Sequence, residues 1–201
     1  AFAEWGDPVQ NLLFADIHGN IGYMLRGHLP IRSSQNAWIA VPGWTGQHEW
    51  QEPVPTSAMP KMATSPNGFM VTANNRVADQ AYPHYIALEF PSDARARRIT
   101  QHLEKLTNAS VADMSAIHMD CNSLPAKAFT DRLSTIRGLT GLTEHLRILL
   151  LAWDGTMHPG MVEPTIYSTM RDELLAQIVR HLLGKQAWQA LHGFAPGALG
   201  Y

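Results

Sequence analysis

Cysteine is almost absent from this 201-residue sequence: Cys121 is the single one, so no disulfide can form within the chain. Cysteine usage therefore excludes neither a reducing nor an oxidising compartment. The 15 basic and 17 acidic side chains form no long run of one sign, which excludes a polyionic arm for nucleic acid or anionic lipid. No stretch approaches the roughly 18 consecutive apolar residues of a membrane-spanning helix. We expect a globular chain with no nucleic-acid or membrane partner.

The common signatures of metal centres and nucleophiles are also missing. The 10 histidines form no HExxH pattern and no CxxC pair occurs, so we predict no histidine-bound metal and no cofactor. No GxSxG, SxxK or phosphate-binding loop marks a nucleophile or a nucleotide site. His118 and Cys121 could face each other on a helix, but no third group orients them. We expect Cys121 to be a buried structural thiol.

The front of the chain has the pattern of short strands. Apolar residues 12–15 and 21–23 flank the turn residues of segment 16–20, which predicts a β-hairpin. Prolines are frequent from residue 27 to residue 66, and they favour short edge strands over helices. Residues 68–72 are predicted to form the next strand.

Three tryptophans, Trp38, Trp44 and Trp50, recur every six residues in this proline-rich section. We interpret them as large rings that cover the hydrophobic face of short, irregular strands. Stacking on a ligand is the alternative that the sequence leaves open.

The back of the chain has helical periodicity. Ser110 and Asp113 resemble a capping box at the start of one helix. Pro164 stands near the start of the last helix, and Gly184 lies where its C-terminal cap is expected. The predicted helices are residues 94–106, 110–120, 124–137, 143–151 and 164–183.

Residues 68–77 read GFMVTANNRV, so that Asn74 and Asn75 directly follow the predicted strand. Asparagine tolerates left-handed backbone and bonds to nearby backbone groups, which suits a turn. Alternatively, one amide is a fixed hydrogen-bond donor aimed at developing negative charge, as in an oxyanion hole. The residues alone favour the turn and leave the second interpretation open.

Five motifs, taken together, resemble a known family. They are NLLFADIHGNIGYMLRGHLPIR, VPGWTGQHEWQEPVP, MPKMATSPNGFMVTANNRV, ARARRI and the WDG of Trp153 to Gly155. Their order and spacing resemble the β chain of the penicillin acylase family, whose members are N-terminal-nucleophile hydrolases and include acyl-homoserine lactone acylases. The resemblance extends over nearly the whole chain.

The resemblance implies an α+β fold with three sections. Residues 1–30 would be strands of an N-terminal-nucleophile αββα core. Residues 31–92 would be a small β-rich section, containing the prolines and tryptophans and ending in the asparagine motif. Residues 93–201 would be a helical section.

The implied function is that of a hydrolase, an acylase that cleaves a linear amide through a serine acyl-enzyme. The candidate substrates are N-acyl-homoserine lactones, as in quorum quenching, and β-lactam side chains, as in antibiotic biosynthesis. The implied enzyme is periplasmic or secreted and matures from a zymogen. Its partners would be the remainder of the β chain, the α chain of the same precursor and a small N-acyl substrate.

Three residues take implied roles from this resemblance. Asn74 would be the oxyanion-hole donor, with Asn75 its turn-forming neighbour. Arg95 would orient Asn74 and the amine of the nucleophile through the planar hydrogen bonds of its guanidinium. Gln10 is a candidate for the substrate's acyl pocket.

The sequence also departs from the family pattern. No serine stands in the context of the nucleophile, so we expect an internal piece of a β chain that is inactive alone. Some members hold a structural calcium through an aspartate between the asparagine and the arginine, but neither Asp79 nor Asp93 matches that ligand. The alternative function is a non-catalytic β/α scaffold or binding module of a larger protein.

Overall fold

The computed structural model describes Phe2 and residues 4–192, and it divides into two compact units, Ala1–Thr107 and Asn108–Tyr201. A small antiparallel sheet and helices occur together, which confirms the predicted α+β class. The boundary follows Thr107, so the helix that begins near residue 93 belongs to the first unit. Residues 193–201, which end the predicted helical section, lie outside the described residues.

The sheet of the first unit begins with the predicted hairpin. Strand β1 is Gln10–Ala15 and strand β2 is Ile21–Arg26, and they pair antiparallel with Leu13 opposite Tyr23. The Asp16 N–H donates to the Asn20 carbonyl at 2.9 Å, which closes the connecting turn. Hydrogen bonds from Asn20 hold the pKa of the Asp16 carboxyl below its usual value. The turn residues thus do locally what their types predict.

The section of residues 31–92 is less regular than predicted. Its one strand, β3 at Lys61–Met62, pairs with β2. Helix α1 (Gln35–Trp38) and a 3₁₀ turn (Gly43–Thr45) are its other short elements. The prediction of a strand at residues 68–72 is wrong, since these residues form no strand. Prolines lack the N–H that a ladder needs, and the left-handed Gly68 (φ 74°) turns the chain where the strand was expected to begin.

The tryptophans do not cover a hydrophobic face. Trp38, Trp44 and Trp50 are 70%, 90% and 63% exposed, so that interpretation is wrong. Trp50 instead contacts the Arg32 guanidinium, which lies 5.3 Å from the ring centre. The buried core of this unit consists of smaller side chains, Leu25, Leu29, Val54 and Met59.

The remaining long elements of the described chain are helices. Helix α2 is Ala94–Leu103 and ends the first unit. The second unit contains α3 (Val111–His118), α4 (Leu124–Leu133), α5 (Gly141–Ala152) and α6 (Glu163–His192). The capping box at the start of α3 is confirmed, since the Ser110 hydroxyl accepts from Asp113 N–H and the Asp113 carboxylate accepts from Ser110 N–H. Gly184 interrupts α6 with φ 83°, where a cap was predicted.

Cys121 is exposed, so the prediction of a buried thiol is wrong. Helix α3 ends at His118, which leaves Cys121 outside the helical face that would have carried it inward. Its carbonyl accepts from Met157 N–H at 3.0 Å, next to a bridge between Asn122 and Thr156.

The second unit is built around a compact aromatic and aliphatic core. Leu150 is fully buried, and Ala126, Trp153 and Tyr167 pack with it. The Trp153 indole N–H donates to the Thr156 carbonyl at 3.0 Å, so its polar atom is satisfied within this core. Among the described residues, no helix has both the length and the apolar character required to cross a bilayer.

Leu150 therefore provides a test of this core. Leu150→Ala should lower the free energy of unfolding of the second unit by about 2–5 kcal/mol, because it removes buried methyl groups and leaves a cavity. Ile148→Ala is the matched control on the same helix, since Ile148 is 54% exposed, and it should cost less than about 1 kcal/mol. Urea unfolding followed by far-ultraviolet circular dichroism, which reports mainly the helices of the second unit, measures both. Equal losses would contradict the packing described here.

Candidate active site

The turn at Asn74 and Asn75 has an uncommon backbone. Asn74 has φ 64°, and it is the one non-glycine residue with positive φ in the described chain. Its side chain is exposed, whereas the preceding Ala73 is buried and Asn75 is half-buried. Asparagine adopts this left-handed region more readily than most residues, so the turn interpretation of the pair is consistent with the backbone. The same turn presents one amide to solvent.

Arg95 reaches this turn from the first turn of helix α2. Its Nη2 donates to the Ala73 carbonyl at 2.7 Å and to Oδ1 of Asn74 at 2.9 Å. The two bonds span more than twenty positions of the chain and join a loop to a helix. The contact between Asn74 and Arg95 that the resemblance implies is therefore present.

These bonds orient the Asn74 amide. Arginine has only donors, so the atom facing Arg95 must be the carbonyl oxygen Oδ1. The Nδ2 group then lies on the other side of the amide, and no acceptor in the described part of the chain bonds to it. The geometry provides a neutral N–H donor in a fixed orientation, which is what stabilisation of an oxyanion requires.

The position of Arg95 is electrostatically unfavourable in itself. A cation in the first turn of a helix faces the positive end of the helix dipole. The first turn of α2 contains no acidic residue, although Asp93, just before the helix, lies 3.7 Å from Arg97. The bonds from Arg95 to the turn offset this local cost, which sets Arg95 apart from an ordinary solvated arginine.

A cavity of about 320 Å³ lies beside the asparagine turn. Asn75 contributes to its wall, and the other side chains are mostly apolar, including Leu13, Tyr23, Phe69 and Met70. This volume is at the lower end of the range for small-molecule pockets.

Tyr23 in this wall is a hydrogen-bond donor rather than a base. Its hydroxyl donates to Oδ1 of Asn11 at 2.7 Å, and burial raises its pKa to about 12. It therefore stays protonated across the neutral range.

Gln10 lies apart from these residues. It is the first residue of β1, pairs with Arg26 and is exposed. It is not among the described residues that line the cavity. Its role in an acyl pocket stays a prediction.

The described residues contain no group of three or more histidine, cysteine, aspartate or glutamate side chains that could hold a metal ion. The Asp79 carboxylate accepts from Ala81 N–H at 2.9 Å, and the Asp93 carboxylate faces Arg97. Neither forms part of a cage of oxygen ligands such as calcium requires, so these two residues do not fit a calcium site.

Sequence reasoning missed two features of this site. The cavity is formed by residues far apart in the chain, from β1 to the segment after residue 68, and no local pattern indicates it. Sequence reasoning also did not identify the partner of Asn75, whose Oδ1 accepts from Ala73 N–H at 3.1 Å. The known tendency of asparagine to bond to neighbouring backbone groups was the signal available.

Comparison with known proteins bears on the whole chain. A family model described as penicillin amidase matches residues 1–197. Penicillin acylase 2 proenzyme from Pseudomonas sp. (strain SE83) is 38% identical over 172 residues, which cover 85% of this chain and 22% of that protein. Acyl-homoserine lactone acylase QuiP from Pseudomonas fluorescens is 26% identical over 212 residues, which cover 95% of this chain and 25% of that protein. The chain thus spans about a quarter of the length of these curated relatives.

A solved structure shows the same fold. A thermostable penicillin G acylase from Alcaligenes faecalis superposes with a TM-score of 0.68 at 20% identity, over 90% of this chain and 35% of that chain. The likeness confirms the predicted fold, and the family model confirms the resemblance found in the sequence. The chain belongs to the penicillin amidase family.

Proposed function

We propose that this chain is part of the β chain of an acylase that hydrolyses a linear amide through a serine acyl-enzyme. Asn74 supplies the side-chain donor of the oxyanion hole. The observation that carries the proposal is the hydrogen bond from Arg95 Nη2 to Asn74 Oδ1, which turns Nδ2 outward as a fixed donor. Family membership supports an acylase, and the relatives named above are acylases.

The proposed chemistry divides between this chain and the rest of the protein. The nucleophilic serine and its α-amine lie outside this chain. Attack on the substrate carbonyl turns the carbonyl oxygen into an oxyanion, and the Asn74 Nδ2–H donates to it. Collapse of this intermediate breaks the C–N bond and releases the amine, which takes the proton that the α-amine removed from the serine hydroxyl. The remaining acyl-enzyme is then hydrolysed by water to the free acid and the regenerated serine. A preorganised neutral donor stabilises this charge without having to reorient during the reaction.

Arg95 acts on Asn74 rather than on the substrate in this proposal. Its cation faces Oδ1 of the amide, and an amide whose oxygen accepts from a cation is a stronger N–H donor. The second bond, to the Ala73 carbonyl, fixes the backbone that carries the amide.

The substrate class is a small N-acyl compound, either an acyl-homoserine lactone or a β-lactam with an amide-linked side chain. These two classes follow the names of the relatives, one a penicillin acylase and the other an acyl-homoserine lactone acylase. The enzyme would be a periplasmic or secreted product of a cleaved precursor, in which this chain packs with the remainder of the β chain and with the α chain.

The substrate class is tested in the full-length protein that contains this chain. Purified mature protein is given a panel of acyl-homoserine lactones, phenylacetyl amides and penicillins, and the released amine or carboxylic acid is measured. Hydrolysis of at least one class supports the proposal. Absence of an N-terminal serine on any processed chain of the protein would instead support a non-catalytic scaffold.

Asn74→Gly tests the oxyanion donor. Glycine accepts the left-handed backbone at this position, whereas alanine would add strain at φ 64°, so glycine removes the amide with little effect on the turn. We expect kcat to fall by about 10²–10³, equivalent to about 2.7–4 kcal/mol of transition-state stabilisation. Steady-state kinetics measures this change, and thermal unfolding checks that the fold is retained. Wild-type turnover in a folded variant would exclude Asn74 from the oxyanion hole.

Arg95→Lys tests the guanidinium. Lysine keeps the charge, but it lacks the planar fork of the guanidinium and its nitrogen lies at a different distance from Cα. It therefore cannot form both bonds to the turn in the same geometry. We expect kcat to fall by about tenfold or more, less than for the loss of the amide itself. Arg97→Lys is the matched control on the same helix, because Arg97 is exposed and pairs with Asp93 rather than with the asparagine turn, and its kcat should stay unchanged. Equal kcat values for the two variants would contradict the role of Arg95.

A further inference from the structure

The second asparagine of the turn bonds in both directions along the chain. Oδ1 of Asn75 accepts from Ala73 N–H at 3.1 Å, two residues back. Its Nδ2 donates to the Arg76 carbonyl at 3.2 Å, one residue ahead. The side chain therefore bonds to the backbone on both sides of the Asn74–Asn75 pair.

Ala73 is held from two sides as a result. Its N–H is bound by the Asn75 side chain, and its carbonyl is bound by Arg95 at 2.7 Å. Ala73 is also buried, at 8% exposure, so neither group is freely solvated. The two consecutive peptides that meet at Ala73 are consequently each fixed by one side chain, the first by Asn75 and the second, which leads into Asn74, by Arg95.

This fixation matters because Asn74 has a disfavoured backbone. A left-handed conformation of a non-glycine residue persists only where its surroundings determine it, and such residues concentrate at functional sites. No strand ladder runs through residues 68–77, so regular backbone hydrogen bonds do not hold the turn. The hydrogen bonds of the Asn75 and Arg95 side chains hold it instead.

We propose that Asn75 is a positioning residue of the oxyanion hole, which acts by holding Asn74 in its left-handed conformation. This inference rests on the proposed function of Asn74. The chemistry of the position favours an amide: one end must accept from Ala73 and the other must donate to Arg76, and only asparagine provides both at this length. An aspartate would keep the acceptor but would add negative charge beside the developing oxyanion.

The first test compares Asn75→Ala with the wild type in the full-length protein, using an amide substrate that the wild type hydrolyses. We expect kcat to fall by about 10- to 100-fold, because misplacing a catalytic donor by about 1 Å has effects of that size. KM should change less than kcat, because the donor acts on the transition state. Asn108→Ala, a substitution of an exposed asparagine in the second unit, is the control and should leave kcat unchanged.

A double-mutant cycle separates positioning from simple destabilisation. Asn74→Gly removes the amide and adopts positive φ without help, so Asn75→Ala should have no further effect on kcat in that background. If Asn75 only stabilises the loop, the fold-loss in kcat caused by Asn75→Ala should instead multiply with that caused by Asn74→Gly. Asn75→Ala should then also lower the unfolding midpoint by the same amount in both backgrounds.

The possible outcomes are distinguishable. A loss in kcat for Asn75→Ala that disappears in the Asn74→Gly background supports positioning. Wild-type kcat for Asn75→Ala, or full multiplication of the two effects, overturns it while leaving the role of Asn74 intact. Wild-type kcat for Asn74→Gly overturns the oxyanion role of Asn74, on which this inference rests.

Discussion

The hydrogen bonds of one guanidinium organise the asparagine turn of the first unit. Arg95 Nη2 bonds to the Ala73 carbonyl and to the Asn74 amide oxygen, so a single group fixes both the backbone and the side chain of the turn. Because arginine can only donate, the amide of Asn74 must turn its oxygen toward Arg95 and its nitrogen away from it. The helix that supplies Arg95 is thereby tied to a segment that contains no strand of its own.

The irregular backbone around the turn explains why side chains, rather than a strand ladder, hold it in place. Between residues 31 and 92 the two residues of β3 are the only strand, so most backbone groups there lack ladder partners. A turn in such a segment needs other bonds to hold one conformation, and short polar side chains supply them. The hairpin β1–β2 gives a contrasting case, since its own ladder and the Asp16 to Asn20 bond define it.

What the sequence predicts correctly is mostly local. The hairpin and the Ser110 capping box depend on residues a few positions apart, and both are present. The wrong predictions, for Trp44, for Cys121 and for a strand at residues 68–72, depended on what those residues would pack or pair with. Periodicity carries no information on such partners. A tryptophan in a proline-rich loop has the same local pattern whether its ring is buried or exposed.

The candidate site illustrates the same limit. Physical reading of GFMVTANNRV left the turn and the oxyanion donor open, and the structure shows that the two need not compete. The left-handed turn is the means by which the Asn74 amide is presented, and Asn75 and Arg95 bond to its flanking peptide. The pairing of Asn74 with Arg95 came from the resemblance, because no periodicity links positions so far apart.

The value of the Asn74 donor depends on its dielectric surroundings. Asn74 and Arg95 are both exposed within this chain, where water competes for the amide N–H and weakens its effect on a nearby charge. Donors of an oxyanion hole act strongly only where water is excluded. The proposed mechanism therefore requires other parts of the protein, or the bound substrate, to cover this turn. The same exclusion of water would strengthen the bond from Arg95 to the Asn74 amide. Covering the turn would therefore make the amide both a stronger donor and a more firmly oriented one.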